Sequence, residues 1–152
     1  MAISIAMLLL AISIPIFNRE TSQENSLASE SELVSAFIVR AQNYAYHPDS
    51  PNATAYKIDA SEGNNGILQL KRLIKNPNDS GSSNIDDPQN NPVDTLTLSS
   101  STISSPAANI IFSAQSGKPQ NISELTVTSK KNNSLTATVT IYQNGSVDVS
   151  QD

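Results

Sequence analysis

The first seventeen residues, Met1–Phe17, carry no charge, and a helical pattern runs on from them without a break. After Asn18, Arg19 and Glu20 the sequence stays helix-forming, and from Leu27 onward apolar positions recur every three to four residues as far as Tyr46. Val34, Phe37, Ala41 and Tyr44 make one stripe, flanked by Leu33, Ile38 and Ala45. Glu20, Glu24, Glu30, Glu32 and Arg40 fall mainly on the other faces, so this half of the helix has one packed and one wet side. The spacing predicts a single long helix, apolar all round over 1–17 and amphipathic over 18–47, with Val34, Phe37, Ala41 and Tyr44 forming the helix–sheet core. His47 and Pro48 stop it, because the residue before a proline is pushed out of the helical region.

Past Pro51 the period changes from 3.6 to 2, so 48–152 is predicted to be a β-rich globular domain. Ala55–Asp59 and Gly66–Lys71 read as strands joined by the turn Glu62-Gly-Asn-Asn-Gly66, a hairpin laid against the helix. The stretch 76–92 has almost nothing apolar and three prolines, which predicts an exposed loop. Further on, Asp94–Leu98 alternates, Asn109–Ser113 is a short apolar run, and Ser116–Pro119 is a turn. Leu125 and Val127 alternate with threonines, then Leu135, Ala137, Val139 and Ile141 share one face opposite Thr136, Thr138, Thr140 and Tyr142. Asn144-Gly145 supplies the positive backbone angles of a tight hairpin turn and Val147–Val149 closes an antiparallel meander with one wet face. The fold class is α+β.

The apolar start has three readings. A membrane-crossing helix needs about 20 apolar residues, slightly more than 1–17 provides. A cleaved signal peptide needs a basic start and a small-residue cleavage site, yet no Lys or Arg precedes Arg19. A buried core helix would find too little protein to cover all its faces in so small a domain. The first reading is favoured, and Pro15 fits it. Proline removes a backbone donor and melts the helix locally, a defect that neighbouring helices or lipid-buried packing absorb.

Composition narrows the function. At 152 residues with net charge −5 and 15% charged residues, the chain has room for one domain and no electrostatic reason to bind nucleic acid. The absence of cysteine excludes disulfides, thiolate metal sites and thiol nucleophiles. His47, the one histidine, stands at a helix end near Asp49 without a G-x-S-x-G elbow, and reads as a solvated cap. Asp79, Asp86 and Asp87 lack the EF-hand spacing and read as a solvated loop. The Asn-x-Ser/Thr triplets at Asn52, Asn78, Asn121, Asn132 and Asn144 follow from a composition rich in those residues. Lys71-Arg72-Leu-Ile-Lys75 and Lys130-Lys131 read as solvated basic turns. No catalytic residue, metal or cofactor is assigned.

Taken in order, Ala11-Ile-Ser-Ile-Pro-Ile-Phe-Asn18 and Glu32-Leu-Val-Ser-Ala-Phe-Ile-Val-Arg-Ala-Gln-Asn-Tyr-Ala45 resemble type IV pilin-like proteins. Ile110-Ile-Phe-Ser-Ala-Gln-Ser-Gly-Lys118, followed by a Thr-rich strand pair ending Ile141-Tyr-Gln-Asn-Gly-Ser-Val147, is similar to minor pilins and pseudopilins of the GspH/FimT type. The resemblance implies a non-enzymatic subunit of a type IV pilus or type II secretion pseudopilus. Its N-terminal helix would sit in the bilayer and then pack with other pilin or pseudopilin subunits, delivered by an inner-membrane assembly platform. The residues so assigned are Ile3, Ile5, Leu8, Leu9, Leu10, Ile12, Ile14, Pro15 and Phe17. The globular domain would lie outside the cytoplasm and later in an extracellular or periplasmic filament.

The basic leader, the glycine at the peptidase cut and the early glutamate of the family are absent from 1–17. The expectation is that a leader is encoded in frame upstream of Met1, which processing and N-methylation require. DNA uptake, performed by some FimT-like relatives through arginines near the C-terminal strands, is disfavoured, because Ser146 stands where a basic residue is common and no arginine follows Arg72, while Lys118, Lys130 and Lys131 keep a DNA-uptake minor pilin as an alternative. Two rival readings are a membrane-anchored adhesin recognising its ligand through loop 76–92 and a small hydrolase using His47.

Overall fold

The computed structural model describes residues 2–78, 83–89, 91–107 and 109–151, with backbone alone over 2–20. Helix α1 spans Ala2–Tyr46 and ends where Pro48 forces it to. Its last turn is tied down by two crossings. The Gln115 amide donates to the Ala45 carbonyl at 2.7 Å, and the Gln42 side-chain amide donates to the Gly145 carbonyl at 2.8 Å.

Two antiparallel sheets receive the helix. In the first, β2 (Ile67–Lys75) pairs with β1 (Ala53–Asp59), which pairs with β6 (Asn109–Ser113). The other edge of β2 is shared by β3 (Asn84–Asp86) at one end and β4 (Asp94–Thr97) at the other. The second sheet runs β5 (Ser101–Ser104), β7 (Ser123–Ser129), β8 (Thr136–Ile141), β9 (Val147–Gln151). Alternation sets what each strand buries. Tyr56 and Ile58, Leu68 and Leu70, Ile110 and Phe112, Leu125 and Val127, and Ala137, Val139 and Ile141 all join Leu27, Val34, Phe37, Ile38, Ala41 and Ala45 of the helix in one core.

Where the sheets meet, the turn Gly63–Asn65 lies on β5. A Cβ at Gly63 would collide with the Ile103 carbonyl oxygen, so only glycine permits this backbone approach.

In the strands and their connections the structure departs from the sequence reading in four places. The last third is not one meander: β6 crosses to the first sheet, and its place beside β7 is taken by β5, a strand of Ser, Thr and Ile that the reading left unassigned. β2 runs on through Arg72 to Lys75, so the Lys71–Lys75 group is strand and not a solvated turn. Loop 76–92 contains β3, and its Asp87 is buried. The Asn144-Gly145 turn is a three-residue loop in which Gly145 alone takes a positive φ of 90°, because the Gly145 amide closes onto the Tyr142 carbonyl and leaves the glycine as the bulge residue.

A salt bridge inside the first hairpin gives an acid-stability prediction. Lys71 Nζ lies 2.7 Å from Asp59 Oδ2 across the β1–β2 pair. Burial pushes the Asp59 carboxyl up, but the Lys71 ammonium and the Ser61 amide and hydroxyl outweigh it and hold it at about 2 against an ordinary 3.8. Its folded value being the lower, this group stabilises fully above pH 3.8 and loses its contribution as pH falls towards 2. Acid unfolding followed by circular dichroism is expected to show a shallower loss of stability over that interval in Asp59→Asn than in the parent.

Candidate subunit-contact surface

The helix divides its sides unevenly. Val34, Phe37 and Ala41 are buried, as are Ile38 and Ala45, while Tyr44 is half-buried against the core with its ring 6.0 Å from that of Tyr56. On the outward side, Leu33, Val39 and Tyr46 stand 49%, 44% and 57% exposed, with Ala36 and Asn43 between them. Residues three and four apart share a helix face, so these make an outward stripe with apolar members. Its edge carries Arg40, paired at 2.7 Å with Asp94 of β4. The membrane and filament-packing residues Ile3, Ile5, Leu8, Leu9, Leu10, Ile12, Ile14, Pro15 and Phe17 have side chains outside the described residues. Among the described residues no helix is long and apolar enough to cross a membrane.

Two polar ties fasten the helix and its exit to the sheets, and both correct the sequence reading. Glu30, expected on a wet face, is 7% exposed. Its Oε1 accepts from the Ser99 amide at 3.0 Å, the Ser99 hydroxyl at 3.0 Å and the Ser100 amide at 2.8 Å, in the turn between β4 and β5. Burial pushes the Glu30 carboxyl up, but the Ser101 hydroxyl and the Ser100 and Ser99 donors prevail and lower it.

Arg72, expected in a solvated turn, is 5% exposed. It has the parity of Leu68 and Leu70 and therefore points to the core face, at the end of the sheet that α1 no longer covers. Its Nε and Nη2 both donate to Asp87 Oδ2, the former at 2.8 Å, and its Nη1 donates to Asp49 Oδ2 at 3.1 Å. Asp49 in turn accepts from the Tyr56 hydroxyl, whose pKa burial and this bond raise to about 12. Asn91 completes the closure like a strand residue, accepting from the Arg72 amide at 2.8 Å and donating to the Arg72 and Asp87 carbonyls at 3.2 and 2.7 Å. Asp86, the neighbour of Asp87, pairs with Lys57 at 2.6 Å. Asp79 lies outside the described residues.

A cavity of about 470 Å³ beside the triad is lined by Asp49, Arg72, Gln89, Asn91, Pro92 and Val93. The polar groups of Asn91 and Asp49 there are already engaged with the chain itself. His47 is exposed, its ring edge-on to Tyr46 at 4.7 Å, and has no Ser nucleophile in a hydrogen-bonded set among the described residues. No group of three or more His, Cys, Asp or Glu that could hold a metal ion occurs among the described residues.

No protein-family model and no curated protein matches the sequence. Solved structures do. A crystal structure of the Pseudomonas aeruginosa type IV minor pilin FimU superposes with a TM-score of 0.57 and 14% identity, covering 86% of this chain and 92% of that one. A second crystal form of the same protein gives a TM-score of 0.54 and 14% identity over 82% and 92% of the two chains. This chain has a type IV minor pilin-like fold.

Proposed function

We propose that this protein is a structural subunit of the minor kind in a type IV pilus or a type II secretion pseudopilus, and not an enzyme. The observation that carries the reading is the likeness to the FimU minor pilin across 86% of this chain and 92% of that one. Before assembly, the uncharged start from Ile3 to Phe17 lies in the lipid bilayer, with the globular domain outside the cytoplasm. An all-round apolar helix is stable there and equally stable against copies of itself, so the same residues serve as anchor and then as filament core. Pro15 melts the helix locally within that packing. The partners are other pilin or pseudopilin subunits and the inner-membrane platform that assembles them. The outward stripe through Leu33, Val39 and Tyr46 extends the contact surface down to the domain.

Support for the anchor comes from the pattern itself, seventeen uncharged residues leading directly into a helix whose backbone continues to Tyr46. Fractionation of the producing cells tests it. The unassembled chain is expected in the membrane fraction, retained through high salt and alkaline carbonate and released by detergent. Release by salt alone would contradict anchoring by the apolar start.

A further inference from the structure

Helix α1 meets the sheets in two unlike ways. From Val34 to Ala45 the contact is apolar and dry, with Val34, Phe37, Ile38, Ala41 and Ala45 at 2% exposure or less. Two turns earlier it is polar: Ser22, Gln23 and Ser26 face Ser101, Ser129 and Lys131 across a cavity of about 100 Å³. A polar cavity of that size has room for water. Leu27 supplies the buried apolar contact of this upper part.

At the boundary sit two further features. The Ser31 hydroxyl donates back to the Ala28 carbonyl at 2.8 Å, a bond that competes with the helix ladder and favours bending. One turn of the same helix carries Glu30, whose Oε1 gathers the three bonds from Ser99 and Ser100 while its Oε2 is buried with no hydrogen-bond partner among the described residues. Release would cost at least those three bonds and the Leu27 contact, offset in part by rehydration of the Glu30 carboxylate.

We propose that Ala28–Glu32 is a latched hinge: Glu30 holds the arm Thr21–Leu27 against the second sheet, and its release lets the arm swing away while Val34–Ala45 stays seated. The use of such a motion rests on the subunit reading above, since it redirects the apolar start relative to the domain when the helix passes from lipid to a packed bundle. The motion itself does not depend on that reading.

The chain has no cysteine, so introduced pairs are unique labelling sites. Spin labels at Gln23→Cys and Lys131→Cys span the arm, and labels at Asn43→Cys and Ser116→Cys span the seated part. In the full chain held in detergent micelles, the arm pair is expected to show a short and a long distance, and the seated pair one narrow distance. Glu30→Gln is expected to raise the long-to-short ratio of the arm pair about tenfold, the worth of charge in its hydrogen bonds, without moving the seated pair. Ser99→Ala, a milder change, is expected to shift it the same way by less. An arm pair as narrow as the seated pair in the parent, unmoved by Glu30→Gln, overturns the hinge. So does broadening of both pairs together, which makes Glu30 a general stabiliser. Neither result requires filaments, so the hinge can fail while the subunit reading stands, and the reverse.

Discussion

Phe37→Ala is expected to be the most damaging single truncation on the helix, lowering the unfolding free energy by about 3–5 kcal/mol. Phe37 is 2% exposed and sits in the middle of the dry stripe, in the same buried cluster as Ile58, Phe112 and Val139. Removing its ring forfeits the transfer free energy of the side chain and leaves a cavity between helix and sheet that rigid strands close only in part. For a chain of this length about 2–4 °C of melting temperature follows each kcal/mol, so a fall of roughly 6–20 °C is expected in thermal circular dichroism. Leu33→Ala, on the outward side, is the internal control and is expected to shift the melting temperature little. Equal losses in the two variants would mean that the helix does not seat through the Phe37 face.

Arg72→Leu is expected to cost about 2–3 kcal/mol, less than the full price of breaking a deeply buried ion pair because Asp49 at one end of the triad is exposed. The loss arises from what remains. Asp87 keeps its place under loop 87–92 with its guanidinium gone, and the Asp49–Tyr56 contact loses its link to the sheet. The Gln89 amide and Arg72 hold the Asp87 carboxyl below its ordinary range, and the Gln89 bond, which remains when Arg72 is removed, keeps it charged at neutral pH. The sign test is the double variant: Arg72→Leu with Asp87→Leu is expected to be more stable than Arg72→Leu alone, since the stranded charge leaves with the second change. Arg72→Lys is expected to fall short of the parent, as an ammonium cannot span Asp87 and Asp49 with a planar fork. A double variant worse than the single would show that the triad stabilises by more than pairing charge.

These two residues mark what was legible in the sequence. Phe37 was found because a 3.6-residue period with acids between its members is a direct consequence of one-sided burial. Strands β1, β2, β7 and β8 were found for the same reason at period 2. Arg72 was not, because charge suggests solvent, and what outweighs it is tertiary. The helix stops at Tyr46 while the sheet continues, so a core-facing position with the parity of Leu68 and Leu70 is closed by a loop bearing carboxylates. That parity was visible in Leu68-Gln-Leu-Lys-Arg72 and was the available signal. Glu30 was missed likewise. Its position, four residues before Val34 and seven before Phe37, lies inside the buried face, and only the Ser99–Ser101 turn, 69 residues away, makes burial tolerable. β5 left no mark in the pattern, since four residues, Ser-Thr-Ile-Ser, are too few to show a period.

The proposed contact surface is legible in one respect only. The apolar start announces itself by the absence of charge, whereas Leu33, Val39 and Tyr46 became an outward set when the buried face was fixed by the sheets.

Mass spectrometry of filaments sheared from the producing cells and purified free of membrane tests the central claim most directly. The account predicts peptides of this chain in the filaments, at a small fraction of the major subunit, and their disappearance when Leu9→Lys places a charge in the apolar spine. Filaments of normal yield and composition that contain none of this chain, with the protein left in the membrane, would contradict it and move the reading to an anchored binding domain.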